Sequence, residues 1–259
     1  MAAPTVESMA SVESDRAVEL SRRLLLAARA GEPAEAIAAG SGLSRIDPAL
    51  IRGDEARTAF WLNVYNGRLL QSLAAKPRSG HLIRHRRLFR ADACDVGGLP
   101  YSLDVIEHGL LRGNARPPYS LRRVLRDGDR RLAAAPSEPD PRVHFALNCG
   151  ARSCPPIRVY SSQRVDRELS AAERAYLGAE TSLDRGRCRL ELPGLIKLYR
   201  ADFGSDAELV RAAAEAMGGR DGAWVAERAE DLQVSFARFD WRLEPLIDAR
   251  TETPGSGNR

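Results

Sequence analysis

The feature that most constrains the fold is the long segment Asp54–Ala75, which carries large apolar side chains at helical spacing. These apolar residues are Phe60, Leu62, Val64, Leu69, Leu70 and Leu73. A helix on a protein surface has one apolar stripe and one polar face, and the apolar surface here is too broad for that arrangement. The pattern therefore predicts a central, largely buried helix against which the rest of the chain packs.

The rest of the chain mixes helical and strand patterns without a regular alternation. Helices are predicted over residues 12–30, 33–39, 103–112, 165–177 and 207–217, and the second of these is expected to break at residues 40–42. A hairpin is predicted within 88–101 and strands over 142–148, 187–192 and 232–239, with a long surface excursion over 114–141. The irregular order favours an α+β fold, with a helical N-terminal part packed on a small, mostly antiparallel sheet.

The pattern divides the chain into three parts. Residues 1–52 are predicted to be an N-terminal helical extension, 53–249 an α+β domain, and 250–259 a disordered tail, because the last residues are rich in Pro, Gly, Ser and Asn. The N-terminus has no secretory pattern, and no apolar stretch is long enough to span a bilayer. We expect a cytoplasmic protein with reduced thiols and no membrane association.

The basic balance of the chain is carried almost entirely by arginine. The formal charge is +4, and only two of the 39 basic residues are lysines, so 37 are arginines. The basic run at 84–87 has only Phe89 nearby for stacking, so the sequence favours no nucleic-acid partner. Most of the arginines fall in predicted loops and on helix faces. Arg158, with Arg112 and Arg152 behind it, falls in the motif segments and is therefore a candidate for holding an anion or a carboxylate.

The segment 143–156, Val-His-Phe-Ala-Leu-Asn-Cys-Gly-Ala-Arg-Ser-Cys-Pro-Pro, is the most informative for chemistry. A predicted buried strand runs into Cys149 and a glycine turn, which makes this thiol a candidate nucleophile if a base or a helix end lowers its pKa. The alternative is a small, inert, buried apolar residue. Cys149 and Cys154 are also close enough in sequence to form a reversible disulfide. The four cysteines match no zinc pattern, and we predict no metal and no cofactor.

A nucleophile needs a base, and His108 is the preferred histidine. It follows Glu107 in the helix that Ser102, a favoured N-cap, is expected to begin. His144 is closer in sequence, but an odd number of residues separates it from Cys149, so a regular strand would place the two side chains on opposite faces. Backbone amides from Gly150 to Ser153 are the candidates for holding an oxyanion, and Ser153 is included among the catalytic residues.

Four further polar residues are candidates for a site. Asn63 and Asn66 interrupt the apolar central helix on either side of Tyr65, and buried amides need partners, so they either tie loops together or orient a catalytic group. Arg158 and Tyr160 follow the Pro–Pro turn, where they either bind an anionic group or cap the edge of the core. With His144, the residues Asn63, Arg158 and Tyr160 are the candidate substrate-binding set.

Several motifs occur together in a recognisable order. They are the segments 59–66 (Ala-Phe-Trp-Leu-Asn-Val-Tyr-Asn), 101–112 (Tyr-Ser-Leu-Asp-Val-Ile-Glu-His-Gly-Leu-Leu-Arg), 144–156 and, after a Leu-Tyr pair, Asp202-Phe203-Gly204. In these motifs, over about 54–217, the chain resembles the domain of unknown function 547 (DUF547) family. The resemblance implies a domain of uncharacterised activity whose eukaryotic relatives are fused to leucine-zipper, glutaredoxin or DEP segments. It implies motif positions at Asn63, Asn66, Glu107, His108, Gly150, Ser153, Arg158 and Tyr160.

Three functions fit these residues. The first is a cysteine-dependent hydrolase or acyltransferase, by analogy papain- or transglutaminase-like, acting on an amide, ester or thioester of a small molecule or peptide. Cys149 would attack, His108 would accept its proton, and Glu107 or Asn66 would orient the imidazole. The second is a non-catalytic module that binds a ligand or a protein, and the third is a thiol redox role for Cys149 and Cys154. We expect the first; the sequence indicates no particular oligomeric state.

Overall fold

The chain folds into eight helices and five short strands within the part that the computed structural model describes, residues 6–75, 80–85, 87–91 and 93–243. The helices are α1 (Val6–Ala30), α2 (Pro33–Leu43), α3 (Asp54–Ala75), α4 (Arg87–Ala91), α5 (Val165–Glu180), α6 (Gly194–Leu198), α7 (Asp206–Met217) and α8 (Gly219–Glu227). The strands are β1 (Ala93–Val96), β2 (Leu99–Ser102), β3 (Ser182–Asp184), β4 (Arg189–Leu192) and β5 (Gln233–Phe236). The α+β fold is confirmed. The predicted tail, 250–259, lies outside the described residues.

The central helix is α3, and its bounds are those that the apolar pattern predicts. Its large side chains, including Phe60, Trp61 and Tyr65, are almost completely buried. Burial of each such side chain stabilises the fold by about 1.5–3 kcal/mol. Helix α1 packs along α3 at close range, since a Cβ added to Gly67 would lie 3.1 Å from the Cα of Leu25.

Helix α2 continues through residues 40–42, so the predicted break there is wrong. The reason is packing against α1, because a Cβ added to Gly42 would lie 2.8 Å from a methyl carbon of Leu20. The glycine therefore serves a close helix–helix contact rather than a turn, and α2 ends only at Leu43.

The strands form two small sheets. β1 and β2 are an antiparallel hairpin closed by Gly97 and Gly98, both with positive φ, as a tight two-residue turn requires. In the second sheet β4 pairs antiparallel with β3 and parallel with β5. The expected sheet is thus divided in two, and the larger one is mixed rather than mostly antiparallel.

The segment 142–148 is a 3₁₀ turn, Pro141–Phe145, and the predicted strand is wrong. Asp140 accepts a hydrogen bond from the backbone N–H of Arg142, and proline occupies the first position, which starts a helical turn. A short apolar run fits a buried turn as well as a buried strand. Without a strand, there is no alternation to place His144 and Cys149 on opposite faces.

The turn at 141–145 lies between two hydrophobic clusters. Val143 and Ala146 belong to the cluster around α1, α2 and α3, whereas Phe145 packs with α5, α7 and the second sheet. Side chains that follow this turn are therefore placed at the boundary of the two clusters. None of the described helices is long and apolar enough to cross a membrane.

The predicted helix after Ser102 is confirmed, but most of it is wound as a π-helix, Val105–Leu111. Ser102 Oγ accepts a hydrogen bond from the Val105 N–H, as the N-cap assignment expects. The backbone N–H of Arg112 donates to the carbonyl of Glu107, five residues earlier, at 3.0 Å. Single π-helical turns occur frequently at functional sites, and this one carries the Glu107–His108 motif.

Candidate functional site

A cavity of about 230 Å³ brings together side chains from distant parts of the chain. Its polar lining consists of Asp104, Glu107, His108, His144, Cys149 and Cys154, and tyrosines from α3, from the excursion after the π-helix and from the end of α6 also line it. Of the sequence-predicted site residues, the cavity therefore collects Glu107, His108, His144 and Cys149. Asn63, Asn66, Ser153, Arg158 and Tyr160 lie outside its lining.

The two cysteines are held against each other by the loop between them. The sulfurs of Cys149 and Cys154 are 2.6 Å apart, and the backbone N–H of Cys149 donates to the Cys154 sulfur at 3.1 Å. Gly150 adopts φ +88°, a conformation that glycine reaches without strain. Asn148 clamps both ends of the loop, since its Oδ1 accepts from the Gly150 N–H and its Nδ2 donates to the Pro155 carbonyl. Both cysteines are free thiols and half-buried.

Hydrogen bonding makes the two thiols unequal in acidity. Donation to Cys154 raises the pKa of the Cys149 thiol well above its ordinary value, and burial raises it further. Burial also raises the pKa of Cys154, but the bonds that its sulfur accepts from the thiol and backbone N–H of Cys149 outweigh burial and leave that pKa lowered. The hydrogen bonds therefore favour the ionised form of Cys154 over that of Cys149, the candidate nucleophile of the sequence.

Asn66 positions the cysteine loop without touching a thiol. Its Nδ2 donates to the Ala146 carbonyl at 2.9 Å, and its Oδ1 accepts from the Asn148 N–H at 3.2 Å. The amide thus fixes the backbone on either side of Leu147, directly before Cys149. Of the two roles proposed for the buried amides, the structure gives Asn66 the tying role.

Asn63, Tyr160 and Arg158 lie outside the lining of the cavity. The Asn63 amide makes two hydrogen bonds of 2.9 Å with the backbone N–H and carbonyl of Tyr160, which fastens the chain after the Pro–Pro turn to α3. The Tyr160 side chain is fully buried, and its hydroxyl has no hydrogen-bond partner among the described residues. Arg158 is exposed. Tyr160 is therefore a core residue and Arg158 a surface residue.

Three of the four amides expected to hold an oxyanion, those of Gly150, Arg152 and Ser153, are bonded within the protein, whereas the Ala151 N–H faces the two sulfurs and acts to lower the pKa of both thiols. The Gly150 N–H donates to Asn148 Oδ1 at 2.6 Å, and the Arg152 N–H donates to the Arg242 carbonyl at 2.9 Å. Ser153 fastens the loop to the C-terminal part of the chain, since its Oγ accepts from the Asp240 N–H at 2.8 Å. These donors serve the conformation of the loop.

Both ring nitrogens of His108 are occupied. Nδ1 accepts a hydrogen bond from Arg112 Nη1 at 2.8 Å, because a guanidinium only donates. The proton of the neutral ring is therefore on Nε2, which donates to the Tyr119 hydroxyl at 3.2 Å. That hydroxyl donates to Asp104 Oδ1 at 2.6 Å. Burial, together with the charge of Arg112, lowers the pKa of His108 against the opposing effect of Glu107, so the ring is neutral. Neither nitrogen is bonded to a thiol.

Glu107 is a buried carboxylate held by two tyrosines. Tyr199 donates to Oε1 at 2.6 Å, and Tyr65 donates to Oε2 at 3.1 Å. Burial alone would raise the pKa of Glu107, but the imidazole of His108 and the hydrogen bond from Tyr199 oppose burial and leave that pKa lowered. A negative charge is thus fixed inside the cavity, where it raises the pKa of both thiols.

His144 has the geometry expected of a base. Its Nε2 lies 2.7 Å from Asp202 Oδ2, and its ring stacks on Tyr199 with centroids 3.9 Å apart. Asp202 also accepts two hydrogen bonds from Arg112; although burial raises its pKa, the bonds from His144 and Arg112 lower it well below its usual range. A carboxylate only accepts, so Nε2 carries a proton, and in the neutral ring Nδ1 then carries the lone pair; Nδ1 has no hydrogen-bond partner in the described part of the chain.

Sequence reasoning missed Tyr119, Tyr199 and the role of Asp202. One signal was present: Asp104, His108 and Arg112 are spaced four apart, and such residues share one side of a helix. Asp202 stands in a motif, but nothing local indicates that it meets Arg112, which is 90 residues away. Within the described ranges, no group of three His, Cys, Asp or Glu residues is placed to hold a metal ion.

The site belongs to an α+β domain with a paired dithiol, two histidines and a buried carboxylate around one cavity. Residues 51–177 match the family model described as "Protein of unknown function, DUF547", which confirms the family resemblance that the motifs indicate. The match contains the whole cysteine loop and the Glu107–His108 motif, and it ends before Asp202. The chain matches no curated protein and no solved structure.

Proposed function

We propose that Cys149 and Cys154 form a redox-active dithiol that exchanges with disulfides. The observation that carries the proposal is the 2.6 Å separation of the two sulfurs in a loop clamped by Asn148. A disulfide needs a sulfur–sulfur distance of about 2.05 Å, so oxidation requires only a small movement. The cytoplasm keeps such a pair reduced between turnovers, and that is the compartment we propose.

The unequal acidity of the thiols sets the order of the steps. The Cys154 thiolate attacks one sulfur of a substrate disulfide, and the other substrate sulfur leaves as a thiolate. The Cys149 thiol then loses its proton and attacks the Cys154 sulfur, which releases the second substrate thiolate. The substrate gains two electrons as its disulfide becomes two thiols, and the protein loses two electrons as the Cys149–Cys154 disulfide forms.

His144 is the group we assign to accept the Cys149 proton. Its Nδ1 is unpaired among the described residues, it lines the same cavity, and Asp202 stabilises the imidazolium that results. Glu107 is a weaker candidate because its two oxygens already accept hydrogen bonds from Tyr65 and Tyr199. The His108 nitrogens are both engaged elsewhere.

A redox titration followed by mass spectrometry tests the proposal. Equilibration of the folded protein with mixtures of reduced and oxidised dithiothreitol should produce one Cys149–Cys154 disulfide. Cys149→Ser and Cys154→Ser should each abolish this disulfide. The control variants Cys94→Ser and Cys188→Ser should leave the midpoint potential of the redox titration unchanged. Failure to form this bridge under any mixture that leaves the protein folded would overturn the proposal.

A cysteine-dependent hydrolase or acyltransferase is the second candidate, favoured by the His144–Asp202 pair in the same cavity as the thiols. Three of the four amides of the cysteine loop are engaged elsewhere, which counts against it, and only the Ala151 N–H is directed at the thiols. If acyl transfer is the activity, His144→Gln should lower hydrolysis of a neutral ester such as p-nitrophenyl butyrate by about 10²–10⁴-fold. His108→Gln should then have a much smaller effect, and absence of hydrolysis by the wild-type protein would remove this candidate.

A further inference from the structure

The walls of the cavity above the thiols are apolar. They are formed by Leu82, Phe89, Leu195, Leu198, Phe239 and Trp241, which come from α4, α6 and the segments next to them. The volume, about 230 Å³, exceeds the roughly 150 Å³ of an apolar cavity that takes up benzene. A small organic molecule therefore fits, and most of its contacts would be apolar.

Among the described residues, the Asp, Glu, Lys and Arg side chains that line the cavity are all carboxylates. Asp104 and Glu107 line it, whereas no arginine or lysine does so within the described residues, although the chain has 37 arginines. Glu107 keeps its charge because its pKa stays lowered in spite of burial, and the hydrogen bond from Tyr199 and the charge of Arg112 favour the carboxylate. An anionic ligand would therefore meet a fixed negative charge in an apolar surrounding, where charges interact strongly.

Two arginines that contact residues of the cavity lining are already engaged. Arg112 is almost fully buried, and its guanidinium binds Asp202 and the His108 ring. Arg90 pairs with Asp104 Oδ2 at 3.3 Å and lies over the Tyr119 ring. Neither lines the cavity, so neither is placed to receive a carboxylate or phosphate of a ligand.

We infer that the substrate of this site is a small, uncharged, apolar disulfide. This inference rests on the proposed redox function, which supplies the disulfide chemistry. The cavity itself supplies the remaining properties, since its walls favour apolar groups and its carboxylates disfavour anions. Anionic disulfides, which include those of acidic peptides, are excluded by the same reasoning.

Two disulfides of similar length and opposite character test the inference. The reduced protein is mixed with dipropyl disulfide or with dithiodipropionic acid, and each rate of protein oxidation is divided by the rate for free dithiothreitol with the same compound. The normalised rate should be about tenfold or more higher for dipropyl disulfide, because a carboxylate loses hydration beside Glu107. Glu107→Gln and, separately, Asp104→Asn should narrow this ratio. Equal normalised rates in the wild-type protein would overturn the inference.

A binding measurement separates the inference from the redox proposal. The double variant Cys149→Ser/Cys154→Ser cannot react, so quenching of its tryptophan fluorescence by dipropyl disulfide reports binding alone. Trp241 lines the cavity, and the part of the quenching that is lost when Trp241→Phe is added to the double variant comes from the cavity. Binding of the uncharged compound and not of the diacid supports the ligand class. If that preference is found while the wild-type thiols never oxidise, the redox proposal fails and the ligand class stands. No binding, or preference for the diacid, overturns the ligand class.

Discussion

The buried amides of α3 and the polar lining of the cavity are satisfied in different ways. Asn63 and Asn66 each donate and accept hydrogen bonds with the backbone of a distant loop. In the cavity, by contrast, His144 Nδ1 has no partner among the described residues, and the two sulfurs bind mainly each other. Buried amides whose donors and acceptors are all hydrogen-bonded stabilise the fold. Groups beside a cavity that still have a free hydrogen-bonding position are available for chemistry.

Asp202 holds both Arg112 and His144 beside the cavity, so its removal should have the largest effect. Asp202→Ala leaves the buried Arg112 without its carboxylate, which should lower the free energy of unfolding by about 3–5 kcal/mol at neutral pH, measured by urea denaturation. The pKa of Asp202 is lowered in the folded protein, so its stabilisation is present above its ordinary pKa of 3.8 and is lost as the pH falls below that value. The difference in the free energy of unfolding between wild type and Asp202→Ala should therefore shrink below pH 3.8. A difference that grows as the pH falls would contradict the ion pair assigned to Asp202 and Arg112.

Asn66→Leu should have the next largest effect. The substitution leaves the buried Ala146 carbonyl and Asn148 N–H without partners, and each unsatisfied group costs about 1–3 kcal/mol. The matched control is Gln71→Leu on the same helix, where one partly buried bond to Arg68 is lost and the change should stay within about 0.5 kcal/mol. Equal losses of unfolding free energy in the two variants would show that Asn66 is not a structural tie.

Of the three substitutions, His108→Gln should have the smallest effect on stability. The effect should be seen as a change in how the free energy of unfolding depends on pH. Burial lowers the pKa of His108 in the folded protein, so the unfolded chain takes up the proton first as the pH falls below the ordinary value of 6.5. Wild-type stability should therefore decrease with falling pH in this range, and His108→Gln should flatten the curve. The urea denaturation midpoints of both proteins are measured at a series of pH values below 6.5. If the midpoints of wild type and His108→Gln change with pH to the same extent, a neutral, buried His108 is contradicted.

The sequence predicts the central helix well because burial on all sides leaves a broad apolar pattern that no other element produces. It also predicts that Glu107, His108 and Cys149 belong to one site, since they stand in two of the motifs, 101–112 and 144–156. The predicted strand at 142–148 fails because a short apolar run does not distinguish a strand from a buried turn. That error reversed the ranking of the histidines, because the argument against His144 depended on strand alternation.

The partners of the site residues could not be predicted because they come from contacts between distant segments. Asp202 reaches Arg112 and His144 across 90 and 58 residues, and Glu107 meets Tyr199 across 92. No local pattern encodes such pairings. The choice between the two cysteines is also hidden from the sequence, because it depends on which sulfur accepts the backbone N–H of Cys149.

Site-resolved alkylation tests the central claim, that Cys154 is the thiolate of a paired dithiol, most directly. The folded protein is exposed briefly to iodoacetamide over a series of pH values, and the modification of each cysteine is quantified by peptide mass spectrometry. Cys154 should be alkylated at a lower pH than the ordinary thiol pKa of 9.0 implies, and before Cys149. Alkylation of Cys149 first, or of both cysteines along the same pH curve, would contradict the account.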